Sequence, residues 1–340
     1  MKRRLRGGLR HASAFCSLFL ALQSAFGTEA KDVNQPALWL TTMEPIWRDI
    51  RSWPQSDYPK LSKDGAAWSN VLRRLAVFQF TEKYAVHGDL DEIKAIIALL
   101  HSNHVDVALQ GIPLVATKQC GLGVESFGTK EETLVAARRL QSAGANLKYI
   151  VFDEPLYYGH FFRGGRATIG CQLPLSELLR QIAEREEPLR SLIPGVKIGD
   201  IEPFGLADVG TNEWTSAYRT WLTAYRERNG RNWDFAQADI VWNRLNWREQ
   251  FLPAVKMVQD SGMPWGVMYT ADWPTSSNSD WASQVARDYH LLEGEMGVRP
   301  PQVVIASWTD YPRSNLPETN PDTLTGAALD YLKYHDKMLR

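Results

Sequence analysis

The sequence predicts a single (β/α)8 TIM barrel over residues 28–340. Three observations predict it. Eight short, β-rich apolar runs alternate with eight stretches of helical period along the 340-residue chain. No glycine-rich turn follows the first strand, as a dinucleotide-binding open sheet requires. No segment of biased composition divides the chain into two bodies. Eight units rather than five or six favour a closed barrel over a doubly wound sheet.

The strand runs are ALWLTT (Ala37–Thr42), AVFQFTE (Ala76–Glu82), VDVALQG (Val105–Gly111), KYIVFDE (Lys148–Glu154), KIGDIE (Lys197–Glu202), QADIVW (Gln237–Trp242), WGVMYT (Trp265–Thr270) and VVIASW (Val303–Trp308). Helical periods fall near 63–74, 88–103, 129–143, 174–190, 212–228, 247–261, 279–295 and 321–337. Thr129 with Glu132, and Ser176 after Pro174, mark helix starts by capping chemistry. Gly144 and Gly262 stand where helices should stop.

The N-terminus reads differently from the rest. MKRRLRGGLR is basic, and the uncharged apolar run Ala12–Phe26 follows it. That order, with small residues after it, describes a signal peptide cut after Gly27. The run is about 15 residues, short of the ~20 that a spanning helix needs. A secreted or periplasmic protein is therefore expected, with no membrane span once the signal is removed. Of the 38 Lys+Arg, five lie in residues 1–27, so the mature chain carries 33 against 39 Asp+Glu. An acidic chain of net −6 argues against a nucleic-acid or anionic-membrane surface. Loss of Cys16 with the signal leaves Cys120 and Cys171, which an exported chain can join as a disulfide.

In a barrel of this kind, chemistry sits at the C-terminal ends of the strands. Here those ends carry Glu44 and Trp47; Glu82-Lys83-Tyr84; Gln110; Asp153-Glu154, then Tyr157, Tyr158 and His160; Asp200 and Glu202; Trp242-Asn243; Tyr269, Asp272 and Trp273; and Trp308 with Asp310. Carboxylates beside aromatic rings at strand ends suit a saccharide. Two carboxyls with separated pKa values supply acid and base for glycosidic cleavage, and flat rings stack on sugar faces. The 13 Trp divide accordingly: Trp39 and Trp265 belong to strand bodies, whereas Trp47, Trp273 and Trp308 are platform candidates. Asp153 and Glu154 are adjacent on a strand and should face opposite ways, whereas Asp200 and Glu202 share a face. Both of the latter point into the cup, or Asp200 pairs with Lys83. Histidines 101 and 104 read as a solvated turn rather than a metal site. There is no HExxH, GxSxG or phosphate loop, so no metal and no cofactor is expected. Gly164-Gly165 marks a candidate cover loop after the fourth strand.

The runs YIVFDEPLYYGH, IGDIEPF and SWTDYPRSNLPETNPDTLTG resemble secreted bacterial (β/α)8 proteins described as glycoside-hydrolase-like, within the TIM-barrel glycosidase superfamily. The likeness runs from about the second strand to the last helix. It implies the barrel and a broad hydrolase class without naming a substrate. A wider comparison is with retaining barrel glycosidases, whose acid/base is a Glu ending strand 4 and whose nucleophile is a Glu ending strand 7. Glu154 matches the first, preceded by Asp153 where Asn is usual. Asp272 stands at the second where Glu is usual.

These readings lead to an exported, monomeric glycoside hydrolase acting on a poly- or oligosaccharide. Glu154 is the proton donor, with Glu202 or Asp272 as nucleophile or water-activating base. Asp153, Asp200, Lys83, Tyr157, His160, Asn243, Tyr269, Trp273, Trp308 and Asp310 are the expected substrate-binding residues. A non-catalytic carbohydrate-binding barrel, and a glycan lyase or transglycosylase, are the alternatives.

Overall fold

The structure, a computed structural model, describes residues 35–42, 44, 57–338 and 340. The expected export signal over residues 1–27 and the platform candidate Trp47 lie outside the described residues. Eight parallel strands close into a barrel. They are β1 (Ala37–Thr41), β2 (Leu75–Thr81), β3 (Asp106–Gly111), β4 (Leu147–Asp153), β5 (Lys197–Phe204), β6 (Phe235–Ile240), β7 (Trp265–Tyr269) and β8 (Gln302–Ile305). Each pairs with the next in chain order. The ring closes where Ala37–Leu40 of β1 register with Gln302–Ile305 of β8.

Helices α1 (Tyr58–Lys63) and α2 (Ser69–Arg74) follow β1, and α3 (Glu82–His87) and α4 (Leu90–Ser102) follow β2. After the later strands come α5 (Glu132–Ser142), α6 (Leu175–Leu192), α7 (Thr211–Asn229), α8 (Trp247–Asp260), α9 (Asn278–Tyr289) and α10 (Leu324–Met338). Asp89 caps α4 by accepting from the amides of Asp91 and Glu92, and Ser277 caps α9 by accepting from Asp280. Gly144 and Gly262 have φ of 89° and 74°, the left-handed exit expected after α5 and α8.

Two capping expectations are corrected. Glu132 reaches back to the Thr129 amide at 3.0 Å, but the Thr129 hydroxyl donates to that same carboxylate and caps nothing. Ser176 lies inside the first turn of α6, whose cap position is Pro174 with no side-chain bond. Among the described residues, no helix is long and apolar enough to cross a membrane.

Strand alternation sorts the side chains into two layers. Trp39, Val77, Ala108, Val151, Ile201, Phe235, Met268, Val304 and Ala306 fill the barrel. The opposite parity (Phe78, Leu109, Phe152, Ile198, Phe204, Tyr269 among them) packs outward beneath the helices. Of the described tryptophans, only Trp273 and Trp308 escape burial; Trp39 and Trp265 pack as strand-body residues, as expected. Cys120 and Cys171 form the expected disulfide, with Cα atoms 5.1 Å apart. It spans 51 residues, which the chain-entropy estimate values at about 4 kcal/mol.

The floor of the barrel depends on one glycine. The rings of Trp39, Tyr149 and Phe235 meet there, with centroids 4.8 to 5.8 Å apart. A Cβ on Gly199 would stand 2.3 Å from the Phe235 ring, which is buried and has no room to retreat. Gly199→Ala should therefore cost about 1–3 kcal/mol of stability. The check is the thermal midpoint of the variant, which should fall; an unchanged midpoint would show that the floor tolerates the methyl.

Candidate active site

The axis-facing column continues above the apolar floor as polar side chains. Thr41 follows Trp39, Gln79 follows Val77, and Gln110 follows Ala108. Asp153 follows Val151, Gln237 and Asp239 follow Phe235, Thr270 follows Met268, and Trp308 follows Ala306. Gln79 is 0% exposed and Gln237 2%. Both amide atoms of each lack a protein partner, as do Gln110 Oε1, Thr41 Oγ1 and Thr270 Oγ1. Such groups require hydrogen-bonding partners, and here they face the mouth of the barrel.

Glu154 breaks the alternation of its strand. Its φ is 45°, in the left-handed region that a non-glycine residue seldom adopts. The turn holds it: its amide donates to Ile201 O at 3.0 Å, and its carbonyl accepts from the Tyr158 amide at 3.0 Å. The expectation that Asp153 and Glu154 face opposite ways is thereby corrected. Burial, then the charges of Glu125, Asp239, Asp153 and Glu202, hold the Glu154 carboxyl well above the ordinary carboxylate range.

The neighbouring carboxyls respond in the same way. Burial and the charge of Glu125 raise Asp153 strongly, against a hydrogen bond from Gln110. Burial, Glu125 and Asp272 raise Asp239 to about 7, against a bond from the Trp308 indole. That indole N–H also lies 3.0 Å from Met268 Sδ. Glu125 itself is exposed, on the loop between β3 and α5, within reach of the Tyr158 hydroxyl and the Asp153 carboxyl. The loop is anchored by the Ser126 hydroxyl donating to Asp153 O, and by its disulfide from Cys120 to the Cys171 segment. Gly121 N also donates to Ile169 O at 2.9 Å, and a Gly164–Ile169 bridge folds the expected cover loop back on itself.

Asp200 and Glu202 share a face, as expected, but it is the face turned from the axis. Asp200 accepts from Trp221 Nε1 of α7 at 2.9 Å, not from Lys83, and burial raises it to about 8. Glu202 accepts from the amides of Leu156 and Tyr157 at 2.6 and 3.1 Å, so it clamps the turn that follows β4. Lys83 is exposed on α3. Tyr269 points outward and donates to Glu293 at 2.7 Å. His160 Nδ1 lies 2.8 Å from Leu173 O, and the Tyr157 hydroxyl donates to Asp208 at 3.1 Å.

Asp272 accepts from the Asn243 amide at 2.6 Å, and Asn243 Nδ2 donates to Trp273 O at 3.2 Å. These three link the loops after β6 and β7 at the rim, where Trp273 is 56% exposed. Burial raises Asp272 above the ordinary range, against the amides of Asn243 and Trp242. Asp310 is half-buried after β8. The apolar run predicts a sixth strand ending at Trp242, whereas the strand ends at Ile240, which makes Asp239 a strand-end carboxylate. The period-two series Phe235, Gln237, Asp239 was the signal for it. Glu125 had no such signal, because it sits in a loop. Among the described residues, no group of three or more His, Cys, Asp or Glu is arranged to hold a metal ion.

No family model and no curated sequence matches the chain. Its fold is similar to that of GH5_18 from Streptomyces cattleya, solved in complex with GlcNAc. The identity is 11%, with 88% of this chain and 81% of that chain covered, at a TM-score of 0.53. The Ignisphaera aggregans GH53 catalytic domain matches at 10% identity over 79% of this chain and 84% of its own, with a TM-score of 0.48. Morphinone reductase, in complex with tetrahydroNAD, matches at 10% over 86% of both chains, also at 0.48. The likeness to GH5_18 agrees with the closed barrel of this chain and shows the fold alone, so activity is left to the site itself.

The buried carboxyls fix the direction of the pH dependence of stability. Glu44, Asp200 and Asp288 are raised to about 8, and Glu82, Asp239 and Glu293 to about 7, each chiefly by burial. Between the unfolded carboxylate range and these values, the folded chain holds protons that the unfolded chain has released. Stability therefore falls as pH rises across that window. Thermal midpoints should decline from about pH 5 to about pH 8; a rise over the same range would contradict the assignment.

Proposed function

We propose that this chain is an exported glycoside hydrolase with Glu154 as its proton donor. The observation that carries the reading is the position of Glu154, buried at the end of β4 and ringed by other carboxyls. A glycosidic oxygen leaves only if it is protonated, and a carboxyl neutral near pH 7 supplies that proton. Asp239 is the partner that activates water or attacks the sugar. Its charge acts directly on Glu154, and two carboxyls that raise one another favour a state with one protonated and one ionised. The charge of Asp272 acts on Asp239 from the rim and raises it, and Glu202 positions the turn that carries Glu154. The Trp308 ring and the floor amides of Gln79 and Gln237 meet the sugar's face and hydroxyls. Export is supported by the N-terminal pattern and by the disulfide.

Three variants separate these roles on a panel of oligosaccharides. Glu154→Gln and Asp239→Asn should each lower kcat by about 10²–10⁴ while the far-ultraviolet spectrum stays unchanged. Glu202→Gln replaces a carboxylate that accepts from two backbone amides. It should instead lower stability by about 1–3 kcal/mol. Full turnover in Glu154→Gln would remove the proposed acid.

A further inference from the structure

We propose that the Cys120–Cys171 disulfide is an activation device: the barrel folds without it, and its closure completes the candidate site. The inference rests on the glycosidase reading for the activity under control, and on the placement of the bridge for the rest.

Neither cysteine lies on a barrel strand or a helix. Cys120 is in the loop between β3 and α5, and Cys171 in the segment between β4 and α6. Both leave the C-terminal ends of their strands, on the face that holds Asp153 and Glu154. The first loop is closed at its base by the parallel pairing of Leu114–Val115 with Phe127–Gly128, and Val124 and Phe127 bury their side chains. Those contacts persist when the bridge opens, so the loop stays on the barrel. The tips are different. Leu122 and Ile169 are 62% and 63% exposed, so side-chain burial does not fix them. The bridge, and the Gly121 amide donating to Ile169 O, hold the two tips together.

Backbone strain marks the same segments. Among the described residues, four non-glycine residues have left-handed φ, and three of them are Ser126, Glu154 and Gln172. Ser126, at 66°, follows Glu125 and donates to Asp153 O. Gln172, at 48°, follows Cys171. Such conformations persist only where the surroundings over-determine them. Opening the bridge removes one constraint from both segments, and the strained residues relax. Ser126 then releases Asp153 O, beside Glu154, and Glu125 leaves the mouth.

Both cysteines are half-buried, within reach of a small thiol or disulfide. Closure is a balanced exchange. One thiolate attacks a small disulfide oxidant and expels a thiol; the second attacks the mixed disulfide and expels another. The protein loses two electrons and two protons, and the oxidant gains them. A chain made in a reducing compartment stays latent until export brings it to an oxidising one.

The test compares the oxidised chain with the chain reduced by a dithiol and with the double variant Cys120→Ser, Cys171→Ser. Far-ultraviolet circular dichroism reads the fold, turnover on oligosaccharides the activity, and amide hydrogen exchange the loops. The reduced chain and the double variant should keep the spectrum and lose about tenfold or more in turnover. Oxidised glutathione should restore the reduced chain and leave the double variant low. Exchange should quicken across residues 120–126 and 154–172 and stay unchanged in the barrel strands. Full turnover in the reduced chain, or loss of its spectrum, would overturn the proposal. Turnover in no form would remove the hydrolase reading alone. Exchange then decides: quickened loops uphold the device, and unchanged loops overturn it.

Discussion

A strand that alternates regularly cannot send two consecutive side chains into the same cavity. At the end of β4 the chain escapes that restriction through the left-handed φ of 45° at Glu154. The conformation costs about 1–3 kcal/mol in a residue with a Cβ, and the surroundings supply it. Ile201 O takes the Glu154 amide, and the Glu202 carboxylate takes the next two free amides, those of Leu156 and Tyr157. Ser126, from the neighbouring loop, takes Asp153 O. With the turn fixed in this way, Asp153 and Glu154 stand together beside Glu125 and Asp239. The electrostatics of the mouth follow from that placement.

The disulfide extends the same control to a loop. Glu125 lies five residues after Cys120, which is bonded to the segment that follows β4. The loop bearing Glu125 and the turn bearing Glu154 are therefore tied by a covalent bridge, by the Gly121–Ile169 amide bond and by Ser126. An exposed loop carboxylate would otherwise wander from its partners and lose most of its effect to solvent. Below the loop, the aromatic floor around Phe235 leaves the barrel closed, so the polar layer opens only upward.

The barrel was legible in the sequence because it rests on period. Eight apolar runs and eight helical stretches survive as eight strands and their helices, with ends moved by a few residues. The site was legible only in part. Glu154 was identified by its place after a strand. The facing of Glu202 and Tyr269 was not, since it depends on which parity the barrel takes inward. Asp239 was hidden by an overlong sixth strand, and Glu125 by a loop whose position depends on tertiary contacts. Backbone φ at a non-glycine residue leaves no mark in composition or spacing. The pairing of Asp153 with Glu154 could not be read from residues alone.

Burial and the neighbouring carboxyls hold the Glu154 carboxyl above the ordinary carboxylate range. Carbon-13 NMR of the labelled Glu154 side chain, titrated with and without Asp239→Asn, tests it most directly. The account predicts a neutral carboxyl at pH 7 in the parent chain, with its titration moved to lower pH once Asp239 is neutralised. A Glu154 carboxyl already ionised at pH 7, or one indifferent to Asp239→Asn, would contradict it.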